Sequence, residues 1–159
     1  MTKVLLVLVG FVGMEGVSYA VHRWVMHGVG YGWHRSHHQP RQGRFEANDR
    51  YPVVFSVIGI TLFALGTWWL AALWWLAVGV TVYGALYMVV HDGFIHRRLP
   101  APVPRSGYLH WLRDAHRDHH TGGGEPYGML LPLVRRPGTG PADNDGDRDP
   151  VDRSDPARR

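Results

Sequence analysis

From Val53 to Val90 the chain runs 38 residues without an Asp, Glu, Lys, Arg, His, Asn or Gln. One long soluble helix would need an apolar partner surface that a chain of 159 residues lacks. A bilayer core is crossed by about 20 helical residues at ~1.5 Å each. The run therefore predicts two short spans, about 53–71 and 73–90, reversing near Trp68 to Trp75. Clustered indoles suit a turn at the far membrane interface.

A hairpin of this kind returns the chain to the side it left. Residues 22–38 and 91–120, which hold all eleven histidines, are therefore predicted to face one compartment. Twelve arginines fall on that side (23, 35, 41, 44, 50, 97, 98, 105, 113, 117, 135 and 136), against Lys3 and an uncharged turn on the other. The positive-inside bias makes the histidine side cytoplasmic. The same bias accounts for the formal net charge of +4 without nucleic acid as a partner, because the arginines interleave with spans and histidines.

An earlier apolar run, Val4 to Val21, has the outline of a cleavable signal peptide: Lys3 before it and Ser18-Tyr19-Ala20 at its end. Glu15 interrupts the apolar stretch, however, and no helix breaker intervenes before His27. The run is expected to be an uncleaved first span, about 4–21.

The histidines follow one grammar twice. His22 and His27 form an HxxxxH box followed by His34, His37 and His38 as HxxHH. His91 and His96 repeat the first box, and His116, His119 and His120 the second. At 3.6 residues per turn, positions i, i+3 and i+4 share a helix face, so each HxxHH box is expected to converge on one point. Residues five apart are about 140° apart on an ideal helix. The two members of each HxxxxH box are thus expected to address different metals, unless one lies past a helix end. His110 falls off the shared face and is excluded.

Imidazole is the commonest protein metal ligand, and ten suit two metals with about five each. The chain has no cysteine, which removes disulfides, thiolate zinc sites and cysteine-ligated iron–sulfur clusters. Structural zinc also takes four ligands and favours thiolates. Histidine-rich sites with open positions suit iron used in oxygen chemistry. Asp92, Asp114 and Asp118 are placed to orient ligand rings, with pairing to Arg117 and Arg113 as the alternative for Asp114 and Asp118. Glu15 is a candidate supporting group: an intramembrane acid suggests function, either by bonding a ligand histidine or serving a proton path. Its alternative is a protonated carboxyl packed between helices.

Three prolines between Leu99 and Pro104 predict a non-helical connector, and Ser106 can cap a helix over about Tyr108 to His120. Pro126 to Val134 is too short to span and is expected to cover a site or lie at the interface. Residues 1–136 are read as the membrane domain and 137–159, rich in Pro, Gly, Asp and Arg, as a disordered polar tail.

The stretches "MEG" (14–16), "HRWVMHG" (22–28), "HRSHHQPRQGRFEANDRY" (34–51), "VHDGFIHRR" (90–98) and "GYLHWLRDAHRDHH" (107–120) resemble the bacterial non-haem β-carotene hydroxylases of the fatty-acid hydroxylase superfamily. The likeness covers roughly residues 14–131 and departs after His120, where "TGGGEPYGMLLP" is shorter and richer in glycine. It implies an all-α integral membrane bundle of the bacterial cytoplasmic membrane with a cytoplasmic di-iron site. It implies that His22, His27, His34, His37, His38, His91, His96, His116, His119 and His120 are the ligands. The activity implied is O2-dependent hydroxylation at C3 and C3′ of β-ionone rings, β-carotene through β-cryptoxanthin to zeaxanthin, with reduced ferredoxin as donor.

No flavin, nucleotide or haem motif is visible, so electrons are expected from a separate protein, for which the arginine-rich face offers a docking surface. Trp24, Met26, Phe94 and Ile95, lying between the histidines, are candidates for contacting the ring. Two rivals remain at this point: a fatty-acyl or sterol hydroxylase or desaturase, and a non-catalytic membrane metal-binding or transport protein.

Overall fold

A computed structural model describes residues 1–40, 43, 45–98 and 107–132. Those residues are helical or irregular, with no strand among them. The proline connector, the Ser106 cap and the polar tail lie outside the described residues, as do Arg41, Arg44, Arg105, Arg135 and Arg136.

Helix α1 (Thr2–Ala20) continues without a break into a π-helical stretch, Val21–Val29. A short helix α2 (Tyr31–His34) and two 3-10 turns, Arg35–His38 and Ala47–Asp49, lead to α3 (Arg50–Trp68). The chain reverses over Trp69 and extended Leu70 into α4 (Ala71–Tyr87), which also runs into a π-helical stretch, Met88–Ile95. The final helix, α5 (Tyr108–Gly122), ends at Gly123, whose left-handed backbone lets its N–H reach the His119 carbonyl at 2.8 Å. It extends two residues beyond the predicted His120.

Three helices are long and apolar enough to cross a membrane: Thr2–Val29, Ala47–Trp68 and Ala71–Ile95. Their outer faces present Leu5, Leu8, Val12, Val53, Val57 and Ile60 unburied, as lipid contact requires. Inside, α4 packs against both α1 and α3. The α1–α4 crossing is close because two glycines face each other's backbones. A Cβ on Gly10 would meet the Leu76 carbonyl, and one on Gly79 the Val7 carbonyl. Lys3 Nζ lies 5.0 Å over the Trp75 ring, which sets the start of α1 beside the start of α4. All histidine segments are therefore at the opposite end, as the hairpin argument required.

That end is where the interior is best shielded. The largest side chains entirely withdrawn from solvent are Tyr83, His34 and His119. Imidazole, not aliphatic packing, fills the middle of this end of the bundle.

Candidate metal centre

The two π-helical stretches explain the five-residue spacing. In a π-helix the backbone hydrogen bond links residues five apart, which stacks i and i+5 on one face. The His96 N–H donates to the His91 carbonyl at 2.9 Å, and the Gly30 N–H to Val25 at 2.8 Å, both five-residue bonds. His22 and His27 consequently belong to one group, with His34 and His119, whose candidate ligand atoms all lie within 4.8 Å of one another. The expectation that the members of an HxxxxH box address different metals is corrected for His22 and His27 by this register, whereas His96 lies just past the end of Met88–Ile95, the exception that the expectation allowed.

A second group, equally tight, comprises His37, His96, His116 and His120. The other two box histidines flank these fours. His38 sets its Nε2 3.1 Å from His34 Nε2 and its ring 5.1 Å from those of His27 and His119. His91 has ring centroids 4.5, 4.8 and 5.0 Å from His96, His116 and His37. The ten thus sort five and five, and His110 stays outside, bonded to Asp114 at 3.0 Å.

Neither HxxHH box converges on one point, which corrects the second expectation. In each, the i+3 histidine leaves its neighbours and joins the opposite group: His37 goes to the set of His116 and His120, and His119 to the set of His34. On a helix, i+3 and i+4 lie about 100° apart, on either side of i. With two centres side by side, one shared face is wide enough to serve both. His38 and His120 stack at the seam, 4.3 Å apart at 21°.

The ring nitrogens that point away from each centre are engaged by oxygens that can only accept. His22 Nδ1 donates to the Tyr127 carbonyl (3.0 Å), His34 to Asn48 Oδ1 (2.8 Å), His37 to Glu46 (3.3 Å), His91 to Asp92 (2.7 Å) and His119 to the Gly124 carbonyl (2.5 Å). Each such bond requires the proton on Nδ1 and leaves Nε2 bare toward the centre. The bare nitrogens crowd one another: His27 and His119 Nε2 are 3.0 Å apart, and His96 and His116 2.9 Å. Among the described residues, His37 Nε2 and His120 Nε2 are buried with no hydrogen-bond partner. An unsatisfied buried acceptor costs about 1–3 kcal/mol, which a cation within the His37, His96, His116 and His120 group removes. In the other group a cation replaces the close Nε2 contacts of His22, His34 and His38 and of His27 and His119, so the donors fit two metal ions.

Burial keeps these rings neutral and ready to bind. It pulls His34 down to about 3 and His38 to about 4, with neighbouring imidazoles adding to the effect. His119 falls to about 4 by burial, against the opposing Gly124 hydrogen bond. His96, His116 and His120 are lowered further, again first by burial.

Of the predicted supporting acids, Asp92 holds His91, whereas Asp114 serves His110. Asn48, Glu46 and the carbonyls of Gly124 and Tyr127 were not anticipated. For the first two a signal existed: Glu46-Ala-Asn-Asp49 is a capping box at the start of a helix, with the Glu46 N–H donating to Asp49 at 3.0 Å. The carbonyls carry no sequence signal. Arg98 turns inward to make a bidentate pair with Asp49, 2.6 and 2.7 Å, and lies 3.7 Å from Asp92. It braces the start of α3 against the end of the second π-helical stretch.

Among the described residues Glu15 bonds no histidine. Its carboxylate accepts the Tyr83 hydroxyl at 2.7 Å and the backbone N–H groups of Met129, Leu130 and Leu131. Within this segment Tyr127 lies against His22, His27 and His119 and Met129 to Leu131 against Glu15, while 133 and 134 are outside the described residues.

A cavity of about 450 Å³, bounded mainly by apolar side chains of α1, α3 and α4, ends at His22, His34, His37 and His91. It follows α3 from Pro52 to Phe63, ~16 Å at ~1.5 Å per residue. Met26 lines it as expected, but Trp24, Phe94 and Ile95 do not. Trp24 points outward and is 64% exposed, whereas Phe94 is buried in packing. The inner faces of the spans do this work instead.

The fatty acid hydroxylase family model matches residues 7–136. The chain is 44% identical over 139 residues to the β-carotene hydroxylase of Paracoccus sp. (strain PC1), covering 86% of each. It is 50% identical over 117 residues to that of Pantoea ananas, 73% of this chain and 67% of the relative. The chloroplastic β-carotene 3-hydroxylase of Haematococcus lacustris is 41% identical over 136 residues, which are 80% of this chain and 42% of that protein. No solved structure matches the chain.

Proposed function

The chain belongs to the fatty acid hydroxylase family, and from that premise we propose that it hydroxylates C3 and C3′ of β-ionone rings, taking β-carotene through β-cryptoxanthin to zeaxanthin. The observation that carries this reading is the junction of an apolar cavity with two five-histidine groups at one end of the spans. A hydrocarbon substrate dissolved in the bilayer can reach the histidines only through such an opening between apolar helices. The name β-carotene hydroxylase recurs among the bacterial and chloroplastic relatives, which favours a carotenoid over a fatty acyl chain or sterol.

In this reading His22, His27, His34, His38 and His119 hold one iron, and His37, His91, His96, His116 and His120 the other. Bound there, iron supplies the reductive activation of O2 that places a hydroxyl on an unactivated carbon. The protein's own part is positional. Nδ1 partners fix ligand tautomers, and the mainly apolar cavity walls lead a substrate ring to the histidines. Reduced ferredoxin is the proposed donor, approaching the exposed Arg97 and Arg117 from the cytoplasm, and the positive-inside bias supports that orientation.

A metal transporter would need polar groups along its spans, and Val53 to Val90 offers only hydroxyls. The test is expression in bacteria that accumulate β-carotene, followed by pigment analysis. Mono- and dihydroxylated products are expected; unchanged β-carotene from iron-loaded protein with donor present overturns the reading.

A further inference from the structure

We propose that Glu15 is a positioning residue, whose carboxylate holds the strap formed by residues 124–131 against both the candidate metal centre and the cavity. The proposal rests on the metal-centre reading above, and it assigns the intramembrane acid a role that is not acid–base chemistry.

Three consecutive backbone N–H groups converge on one carboxylate oxygen. Met129, Leu130 and Leu131 donate to Glu15 Oε1 at 3.0, 3.1 and 2.9 Å. Oε2 accepts from Tyr83 at 2.7 Å and again from Leu130 at 3.1 Å. Such a concave row of amides is a built anion site, and it offsets the cost of placing an acid within a span. The turn that forms it is tight at Gly128, where an added Cβ would meet the Leu131 carbonyl.

The strap reaches the histidines from the other side. Its Gly124 carbonyl takes the His119 Nδ1 proton and its Tyr127 carbonyl the His22 Nδ1 proton. The Tyr127 ring lies 5.2 to 5.4 Å from His22, His27 and His119. Met129, 6% exposed, forms part of the cavity wall. Near its start, Glu125 receives Tyr19 at 2.8 Å and Arg23 at 2.7 Å. One carboxylate on α1 therefore sets a segment more than a hundred residues away that both orients ligand rings and closes the cavity. Every Glu15 oxygen is occupied by protein donors, which leaves it no free lone-pair direction toward a reacting group.

The side-chain oxygen of glutamine can keep the amide row, whereas leucine cannot, and neither can carry a proton as a carboxyl does. Glu15→Gln is expected to retain hydroxylation and bound iron within about threefold, and Glu15→Leu to lose about tenfold or more in kcat/KM, consistent with losing several charge-assisted bonds. Because the chain has no cysteine, Met129→Cys provides a single reporter that needs neither substrate nor iron. Its labelling by a water-soluble maleimide is expected to stay slow in the Glu15 parent and in the glutamine variant, and to rise about tenfold in the leucine variant. Gly128→Ala, which disturbs the amide row and leaves the spans intact, is expected to raise labelling in the same way, and keeps the test open should Glu15→Leu not accumulate. A glutamine variant as inactive as leucine, or unchanged labelling in Glu15→Leu and Gly128→Ala, overturns the proposal. Failure of the parent protein to act on β-carotene leaves the labelling result standing, so the two readings fail separately.

Discussion

His27 and His119, 92 positions apart, bring their Nε2 atoms to 3.0 Å. One comes from the π-helical end of the first span and the other from the last helix, so neither half of the chain completes a centre alone. The reciprocal exchange by His37 makes the second centre equally dependent on both halves.

That exchange predicts which variants damage which centre. His119→Ala and His37→Ala should each reduce bound iron from about two ions per chain to about one, and each should abolish product, because two centres act as one unit. Iron analysis on purified protein checks this. Loss of both ions from either variant would show instead that the centres assemble only together.

Asn48 tests the orienting layer. Its Oδ1 holds the His34 Nδ1 proton at 2.8 Å within a buried site. Asn48→Leu removes the acceptor and should lower iron affinity or turnover about 10–100-fold. Asn48→Asp, which keeps an acceptor oxygen, should lie between. Chelator competition measures the affinity, and equal affinity in all three proteins would refute the assignment.

The pH dependence has a definite sign. His34, His38 and His119 are held at about 3, 4 and 4, chiefly by burial, below the ordinary value of about 6.5. The unfolded chain therefore binds more protons between those values, so stability falls as pH drops below about 6.5 toward 4. Thermal unfolding of chelator-stripped protein in detergent should be flat from about pH 8 to 7 and decline steadily from about 6 to 5. A midpoint that stays constant down to about pH 5 would contradict the buried, neutral state of these rings.

Gly59 offers a way to close the cavity without touching a histidine. It lines the cavity on α3, and a Cβ there has nothing within 4 Å. Gly59→Phe should occupy the space the substrate ring needs and reduce β-carotene turnover about tenfold or more, with iron content unchanged. Normal turnover by this variant would move the substrate route elsewhere.

Much of this architecture was legible one residue at a time. The hairpin followed from 38 uncharged residues, and its return of both histidine halves to one end followed from counting crossings. The doubled boxes named the ten histidines, and five per centre was already the natural division. What failed was the assumption of one helical period. HxxxxH is out of phase on an α-helix and in phase on a π-helix, and nothing in Val21–Val29 or Met88–Ile95 announces the change. Adjacency to the histidines does not by itself point a side chain into the cavity: Met26 lines it, and Trp24, Phe94 and Ile95 do not.

The sequence by itself determined the membrane helices, the chemistry of the donors and the end of the bundle where they gather, because hydropathy and residue type are local properties. Only the tertiary structure decided which histidine joins which centre, which carbonyls fix the ring protons, and that Glu15 grips a backbone strap rather than a ligand. Those are contacts across about a hundred residues, made largely by main-chain groups that every sequence carries alike.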